Sequence, residues 1–313
     1  MNFQQLRAAR ETVRQGLNLT EAAGKLFTSQ PGVSKQIREL EHELGIEIFV
    51  RRGKRIVALT EPGKAVLEIV ERLLQDAENL KQVGREFRNQ AAGTLVIATT
   101  HTQARYALPT VVRQFRHRYP KVHLTLKQGN PPQLAEMVLA GEADIAIATE
   151  ALEHYPKLLA LPGYGWNHCV VVPAKHPLAR ATRVTLEDLA RYPLITYDPA
   201  FAGRMHIDEA FAARGIVPDI VLTAIDADVI KTYVELGMGI GIVAAMAFDA
   251  KRDPHLRSLD ASRLFKSNTT RVAIRRGAYL RGYAYAFLEL FSPQLTRKLI
   301  DTALAGKAEM YEL

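Results

Sequence analysis

Apolar residues in the first sixty positions recur at the three- and four-residue spacing of helices. Phe3, Leu6 and Val13 suit a first helix ending near Gly16. Thr20 is a suitable cap for a second, on which Ala22, Ala23, Leu26 and Phe27 form an apolar side. The pattern breaks at Thr28-Ser29-Gln30-Pro31-Gly32 and resumes at Val33, Ile37, Leu40 and Leu44, one helix face. Ser29 is placed to cap this third helix. Pro31 falls in its first turn, where a missing N–H costs little, and Gly45 ends it. Residues 47–59 then read EIFVRRGKRIVAL, two β-prone runs around a basic hairpin tip.

Thr60-Glu61-Pro62-Gly63 reads as a further helix start, with Thr60 as cap. The helix runs to about Asn89, roughly 45 Å at ~1.5 Å per residue. On it Val66, Leu73, Leu80 and Phe87 recur every seven residues, with Val70, Ala77 and Gly84 as the complementary set. Such a seam suits a coiled-coil partner. Packing on its own domain would use the same stripe, but a helix joining two domains has little else on which to bury it. From Thr94 short apolar runs alternate with helical stretches. Strands are expected at Leu95 to Thr99, Val122 to Lys127 and Ala143 to Ala148, with helices over 104–118 and Pro131 to Ala140. A second set begins near Trp166, with strands at Cys169 to Val172, Leu194 to Tyr197, Ile220 to Ala224 and Ile240 to Ala244, and helices over 204–214 and 227–236. A late strand, Thr270 to Ile274, precedes a helix over 279–291. The alternation implies an α/β fold with parallel sheets covered by helices. The organisation is a winged helix-turn-helix over 1–59, a linker helix over 60–92 and a two-lobed domain over 93–313. Its lobes are 93–163 with 268–313, and 164–267.

Composition narrows the class. A chain of 313 residues suggests about two domains, and 48% hydrophobic content is ordinary for a globular protein. The net charge of +8 permits an anionic partner without proving one. Residues 1–65 carry 11 Lys+Arg against 7 Asp+Glu, so the helical motif argues for DNA more strongly than charge does. The single cysteine, Cys169, excludes an intramolecular disulfide framework and fits a reducing cytoplasm. The N-terminus has no apolar signal core, and the longest hydrophobic stretch, Gly237 to Phe248, is short of the ~18 residues of a membrane span. No membrane partner is expected.

The polar side of the third helix carries Gln30, Ser34 and Arg38, four residues apart, with Pro31 and Lys35 beside them. These types read base edges or grip phosphates. A solvated face of a core helix would look the same, and the flanks decide between the two. Three helices followed by Arg51, Arg52, Lys54 and Arg55 at a hairpin tip describe a winged helix-turn-helix, whose third helix would enter the major groove of double-stranded DNA. Here the sequence resembles the LysR-type transcriptional regulators. The carrying residues are Asn18 to Ala23, Ser29 to Ile37, Leu40-Glu41, Leu44-Gly45 and Phe49 to Arg52. The two α/β lobes resemble the effector domain of that family, which has a type 2 periplasmic-binding-protein fold. The resemblance implies a homodimer through the linker helix, assembling to a homotetramer.

In open α/β sheets, ligands bind beyond the carboxyl ends of the strands. The first strand of the two-lobed domain runs into Thr99-Thr100-His101-Thr102-Gln103, whose hydroxyls and amide suit an anion at a helix start. Thr102 as a plain helix cap is the simpler alternative. Thr149 follows the third strand and would face the same crevice, and Arg204 is placed to meet a carboxylate or sulfate. Residues 98–109, ATTHTQARYALP, and 223–244, TAIDADVIKTYVELGMGIGIVA, look like the CysB branch of the family, which includes the Cbl proteins. That branch regulates sulfur assimilation and cysteine synthesis. Its inducers are acetylated serines, and sulfate can occupy the same cleft. By position the resemblance implies effector contacts at Thr100, Thr102, Gln103 and Thr149. At Ala202 the branch often has a threonine. Asp226 and Asp228 would repel an anion and read as capping or hinge residues.

Several signals carry no chemistry. Residues 239–244 fit G-x-G-x-x-A, but a helix precedes and a strand follows, the reverse of a dinucleotide fingerprint. No cofactor is expected. Cys169 reads as a buried strand residue with no partnered base, and His101 as a ligand contact or cap rather than a catalytic base. No histidine pair has metal spacing. Glu39, Glu41 and Glu43 read as a solvated face. The leading reading is a ligand-responsive regulator and not an enzyme. The competing ones are a LysR-type regulator of another pathway and a small-molecule enzyme or carrier with a basic accessory domain. The last would need a catalytic set or an export signal, and the sequence offers neither.

Overall fold

The computed structural model describes residues 1–53, 55–88, 92–149 and 151–305, with residues 85–88 and Ala202 placed by backbone alone. Two units emerge. One holds Met1–Phe87 with Gly277–Tyr279, the other the remaining described residues from Arg88 onward.

The first unit contains α1 (Phe3–Arg14), α2 (Leu19–Lys25), α3 (Gln30–Leu44), β1 (Phe49–Arg52), β2 (Arg55–Leu59) and α4 (Glu61–Arg88). Local hydrogen bonding sets the helix ends. Asn2 and Gln5 form a reciprocal capping box on α1. Asn18, rather than Thr20, caps α2 by accepting from the backbone N–H groups of Thr20 and Glu21. The helix closes at Lys25, and Phe27 then turns the chain with φ +53°. That conformation swings the ring to 97% exposure, so Phe27 is not part of the apolar side. Ser29 caps α3 on Gly32, Pro31 sits in the first turn, and Gly45 closes the helix at φ +67°, as the pattern predicts.

The core of this unit joins Leu6, Val33, Ile37, Leu40, Ile48 and Phe49 to Leu67, Val70 and Leu74 from α4. This corrects the proposed seam. Residues at 67, 70 and 74 follow the spacing of one helix face, and that face lies against the helix's own unit. Val70 is 2% exposed and Val66 packs on the same cluster, so neither is free for a partner helix. Leu73 and Leu80 are 40% and 73% exposed. Ala77 is half-buried. The start of α4 is pinned by Thr60, whose hydroxyl donates to the Glu47 carbonyl at 2.6 Å and accepts from Gly63 N–H at 2.9 Å. A Cβ at Gly63 would lie 2.0 Å from the Ile48 carbonyl oxygen, so only glycine allows this approach.

In the second unit the chain runs β3 (Ala92–Thr99), α5 (Leu108–Arg118), β4 (Lys121–Gln128), α6 (Pro131–Ala140), β5 (Ile145–Thr149) and β6 (Leu158–Trp166). It continues through β7 (His168–Pro173), α7 (Leu186–Leu189), β8 (Leu194–Tyr197), α8 (Ala202–Ala213), β9 (Ile220–Ala224), α9 (Ala227–Glu235) and β10 (Ile240–Ala244). It ends with β11 (Leu256–Asp260), β12 (Asn268–Arg275), α10 (Gly282–Phe291) and α11 (Arg297–Leu304). One lobe has the strand order β4-β3-β5-β12-β6, the other β11-β7-β10-β8-β9.

The sheets are mixed, not parallel as the alternation implies. Strand β12 runs antiparallel to β5 and β6, and β7 antiparallel to β10 and β11. These strands are the chain's returns between lobes. Only Asn167 separates β6 from β7, and the chain crosses back between β11 and β12. The sequence LLALPGYGW conceals β6, because Pro162 and two glycines weaken a strand pattern; as an edge strand it tolerates them. In β7, Cys169 and Val171 face one core cluster and Val170 and Val172 the other, so both faces are buried. This lobe arrangement brings the ends of β3, β5 and β8 to one crevice.

Candidate DNA-binding face and effector cleft

Gln30, Pro31, Lys35 and Arg38 lie exposed on α3. Ser34 does not join them. It is 6% exposed, and its hydroxyl accepts from Arg38 Nη2 at 3.1 Å, so it steadies the arginine from below. On the wing Arg52 and Arg55 are exposed, while Lys54 lies outside the described residues. Arg51 is taken up by Glu41 at 2.7 Å. Glu41 also accepts the backbone N–H groups of Ile48 at 2.9 Å and Phe49 at 3.1 Å. It is therefore a tie between α3 and the wing and not part of a solvated face. Glu39 accepts from Gln5.

In the second unit Thr100, His101, Thr102 and Gln103 follow β3 and enter a π-helical turn over Gln103–Ala107 that leads into α5. An added residue in a helical turn is a frequent mark of a functional site. Thr102 makes no capping hydrogen bond. Its hydroxyl instead meets the Tyr197 hydroxyl of the opposite lobe. Gln103 is buried, with its Nε2 donating to Thr270 Oγ1 at 3.1 Å and its Oε1 accepting from the Tyr164 hydroxyl. Burial pushes the Tyr164 phenol up, which keeps it a donor at neutral pH. Thr149 ends β5 directly across from Thr270.

On the facing lobe Ala202 is the first residue of α8. Arg204 turns inward. Its Nε donates to Asp208 at 2.7 Å and its Nη1 to the Tyr197 carbonyl at 2.7 Å, so it ties α8 to β8 instead of reaching into the cleft. The helix start packs on Trp166 and His168. A Cβ at Gly203 would come within 3.1 Å of both side chains. Burial, and then His206 nearby, push the His168 imidazole down to about 3, so it is neutral. Trp166 Nε1, His168 Nε2 and Asn268 Oδ1 are buried with no hydrogen-bond partner among the described residues. Tyr164, Trp166 and Thr270 escape sequence reasoning because antiparallel pairing of segments far apart in the chain brings them to the cleft.

Asp226 caps α9, accepting from Val229 N–H at 2.8 Å. Asp228 accepts from the Tyr106 hydroxyl at 2.5 Å and from Arg105 Nε at 3.2 Å. His101, Asp226 and Asp228 each bring one potential ligand atom within 4.8 Å of the others, a grouping no spacing in the sequence reveals. Arg105 and Lys231, the latter 3.5 Å from Asp228, set two positive charges there and oppose a divalent cation. Burial pushes the Cys169 thiol up to about 11, which leaves it a poor nucleophile. No helix among the described residues is long and apolar enough to cross a membrane.

A family model described as the LysR substrate binding domain matches residues 88–296. A second, the bacterial regulatory helix-turn-helix protein of the lysR family, matches residues 3–64. The chain belongs to the LysR family. This LysR regulator is 63% identical over 295 residues to the HTH-type transcriptional regulator SsuR of Burkholderia cenocepacia, covering 94% of this chain and 96% of that one. It is 60% identical to the HTH-type transcriptional regulator CysB of the same organism over 100% of both chains. The crystal structure of the cofactor-binding domain of the Cbl transcriptional regulator aligns at a TM-score of 0.66 and 46% identity, covering 69% of this chain and 95% of that one. The chain is thus a transcriptional regulator and not an enzyme, from a family that binds DNA and small-molecule effectors.

Because Arg38 is exposed and steadied by Ser34, Arg38→Ala is expected to weaken operator binding with little change in melting temperature. A lost base contact costs about 1–3 kcal/mol, or roughly 5- to 150-fold in Kd. Fluorescence anisotropy with labelled operator measures it, and wild-type affinity in a folded variant would move the reading face elsewhere.

Proposed function

We propose that the chain is a cytoplasmic regulator of sulfur-assimilation and cysteine-synthesis genes, working as a homodimer that assembles to a homotetramer. Its effector is a small anion or an acetylated serine held between the two lobes. The observation that carries this reading is the fixed amide of Gln103. Tyr164 and Thr270 hold both ends of that side chain beside Thr100 and Thr149, and together they build a rigid, uncharged polar surface beyond the ends of β3 and β5. Such a surface suits a compact oxyanion by hydrogen bonding. The names of its relatives CysB and Cbl support the pathway. Closure of the lobes on the effector would change the spacing of the DNA-binding units. A LysR regulator of another pathway remains the competing reading, because Ala202 removes a hydroxyl that the CysB branch often has.

Calorimetry of the full chain against sulfate, thiosulfate, O-acetylserine and N-acetylserine tests both readings. We expect at least one to bind, and Thr100→Val to lose about 5- to 150-fold in affinity, since valine leaves a ligand oxygen unpaired at about 1–3 kcal/mol. Thr100 is a better choice than Thr102, whose hydroxyl also serves the contact with Tyr197. Ala202→Thr should tighten the same ligand. Should none of the four compounds bind, the pathway assignment is wrong.

A further inference from the structure

The turn that carries Thr100, Thr102 and Gln103 does not end at the cleft. Two and three residues beyond Gln103, Arg105 and Tyr106 grip the opposite lobe at Asp228. Asp228 is itself braced. Lys231 lies 3.5 Å from its carboxylate and is 7% exposed. Behind it, Lys231 Nζ donates to both oxygens of Asp253, at 2.9 and 3.1 Å, and to the Ala247 carbonyl at 2.8 Å. The Lys231 ammonium also stands 5.4 Å from the centroid of the Tyr106 ring. A chain of polar contacts therefore runs from the proposed effector turn, through Tyr106 and Asp228, into a buried ion pair of the other lobe.

We propose that Asp228 is a positioning residue for effector binding: held by Lys231, it grips Tyr106 and Arg105 across the cleft and so fixes the turn that presents Thr100 and Gln103 to the bound anion. This rests on the reading of the cleft given above. The two contacts differ in weight. Arg105 and Asp228 are half-exposed, and an exposed ion pair contributes little. The Tyr106 hydroxyl is part-buried and donates to a charged acceptor, the stronger kind of hydrogen bond. Burial would raise the Asp228 carboxyl, but the hydrogen bond from Tyr106 and the charges of Lys231 and Arg105 outweigh it and hold it below the usual carboxylate range. The acceptor is thus ionised at neutral pH. The extra residue of the π-helical turn carries Tyr106 out to Asp228 while Gln103 stays buried against Thr270.

The test compares wild type, Tyr106→Phe, Asp228→Asn and the double variant, all as full chains. Titration with sulfate and with O-acetylserine is followed by calorimetry and by fluorescence of Trp166, the single tryptophan, which closes β6 next to the crossover. Each single variant should lose about 10- to 100-fold in affinity, the range for a hydrogen bond to a charged group, and the double variant no more than the larger single loss. Amide exchange in the ligand-free chain supplies a second readout. Residues 100–107 should exchange faster in both variants, while β10 keeps its wild-type protection. A residue that merely supports the fold would speed both segments together. Wild-type affinity in Tyr106→Phe, strictly additive losses, or unchanged exchange over 100–107 would overturn the proposal. If wild type binds neither of these two, exchange alone decides whether Asp228 holds the turn, and the cleft reading falls only when thiosulfate and N-acetylserine fail as well.

Discussion

A chain carrying both Leu73→Glu and Leu80→Glu is expected to sediment as a folded monomer under conditions where wild type is at least a dimer. The two leucines are seven residues apart on α4 and remain 40% and 73% exposed, whereas Leu67, Val70 and Leu74 of the same helix are consumed by the core of their own unit. A seven-residue apolar step left exposed on a helix face is the spacing of a pairing surface, and Leu73 and Leu80 keep that step. Substitution would place four glutamates per dimer in that surface. Burial of a polar group without a partner costs about 2 kcal/mol or more, so the dimer constant should weaken by over roughly a thousandfold. Neither leucine belongs to the internal core, so helix content and melting temperature of the monomer should hold. Sedimentation velocity across a dilution series is the measurement. A double variant that keeps wild-type mass at the lowest concentration would place the dimer contact off α4.

Glu41→Ala should be strongly damaging to the DNA-binding unit although the residue lies outside its apolar core. Its carboxylate, 10% exposed, holds Arg51 and two backbone N–H groups at the base of the wing. Removal strands a half-buried guanidinium and two donors at once. Breaking a buried pair from one side costs about 3–5 kcal/mol, and the partial exposure of Arg51 sets the expectation at the lower end. Urea unfolding should show the loss in the transition of the first unit, with DNA binding weakened in parallel. Glu43→Ala is the control, because Glu43 is exposed. A loss below about 1 kcal/mol in Glu41→Ala would mean that the wing is held by packing alone.

The first unit was largely legible because its information is local. The caps Ser29 and Thr60, Pro31, Gly45 and the four-three-four step of Val33, Ile37, Leu40 and Leu44 each act within a few residues, although the cap of α2 is Asn18 and not the expected Thr20. Two errors there have one origin. Ser34 and Glu41 are polar residues on a helix, and sequence spacing does not distinguish a polar group turned to solvent from one that satisfies a neighbour. Val70 was misplaced for a related reason: α4 carries two apolar stripes, and the stripe at 67, 70 and 74 belongs to its own core. In the second unit the parallel strands, their helices and the return strands β7 and β12 were readable, but β6, β11 and the antiparallel pairing of all four were not. Strand β6 carries a proline and glycines, and β11 is short and polar. The cleft inherits that gap. The turn at Thr100 to Gln103 could be found from its clustered hydroxyls, whereas Tyr164, Thr270 and Asp228 meet it only through long-range topology.

The central claim is that occupancy of the cleft changes how the chain sits on DNA. Footprinting of the full chain on an operator selected from random DNA, with and without sulfate, thiosulfate, O-acetylserine or N-acetylserine, tests it most directly. The account predicts that at least one compound changes the span of the wild-type footprint, and that Thr100→Val keeps the ligand-free footprint at the same concentration. A wild-type footprint that all four compounds leave unchanged, or a Thr100→Val chain that responds as wild type does, would contradict it.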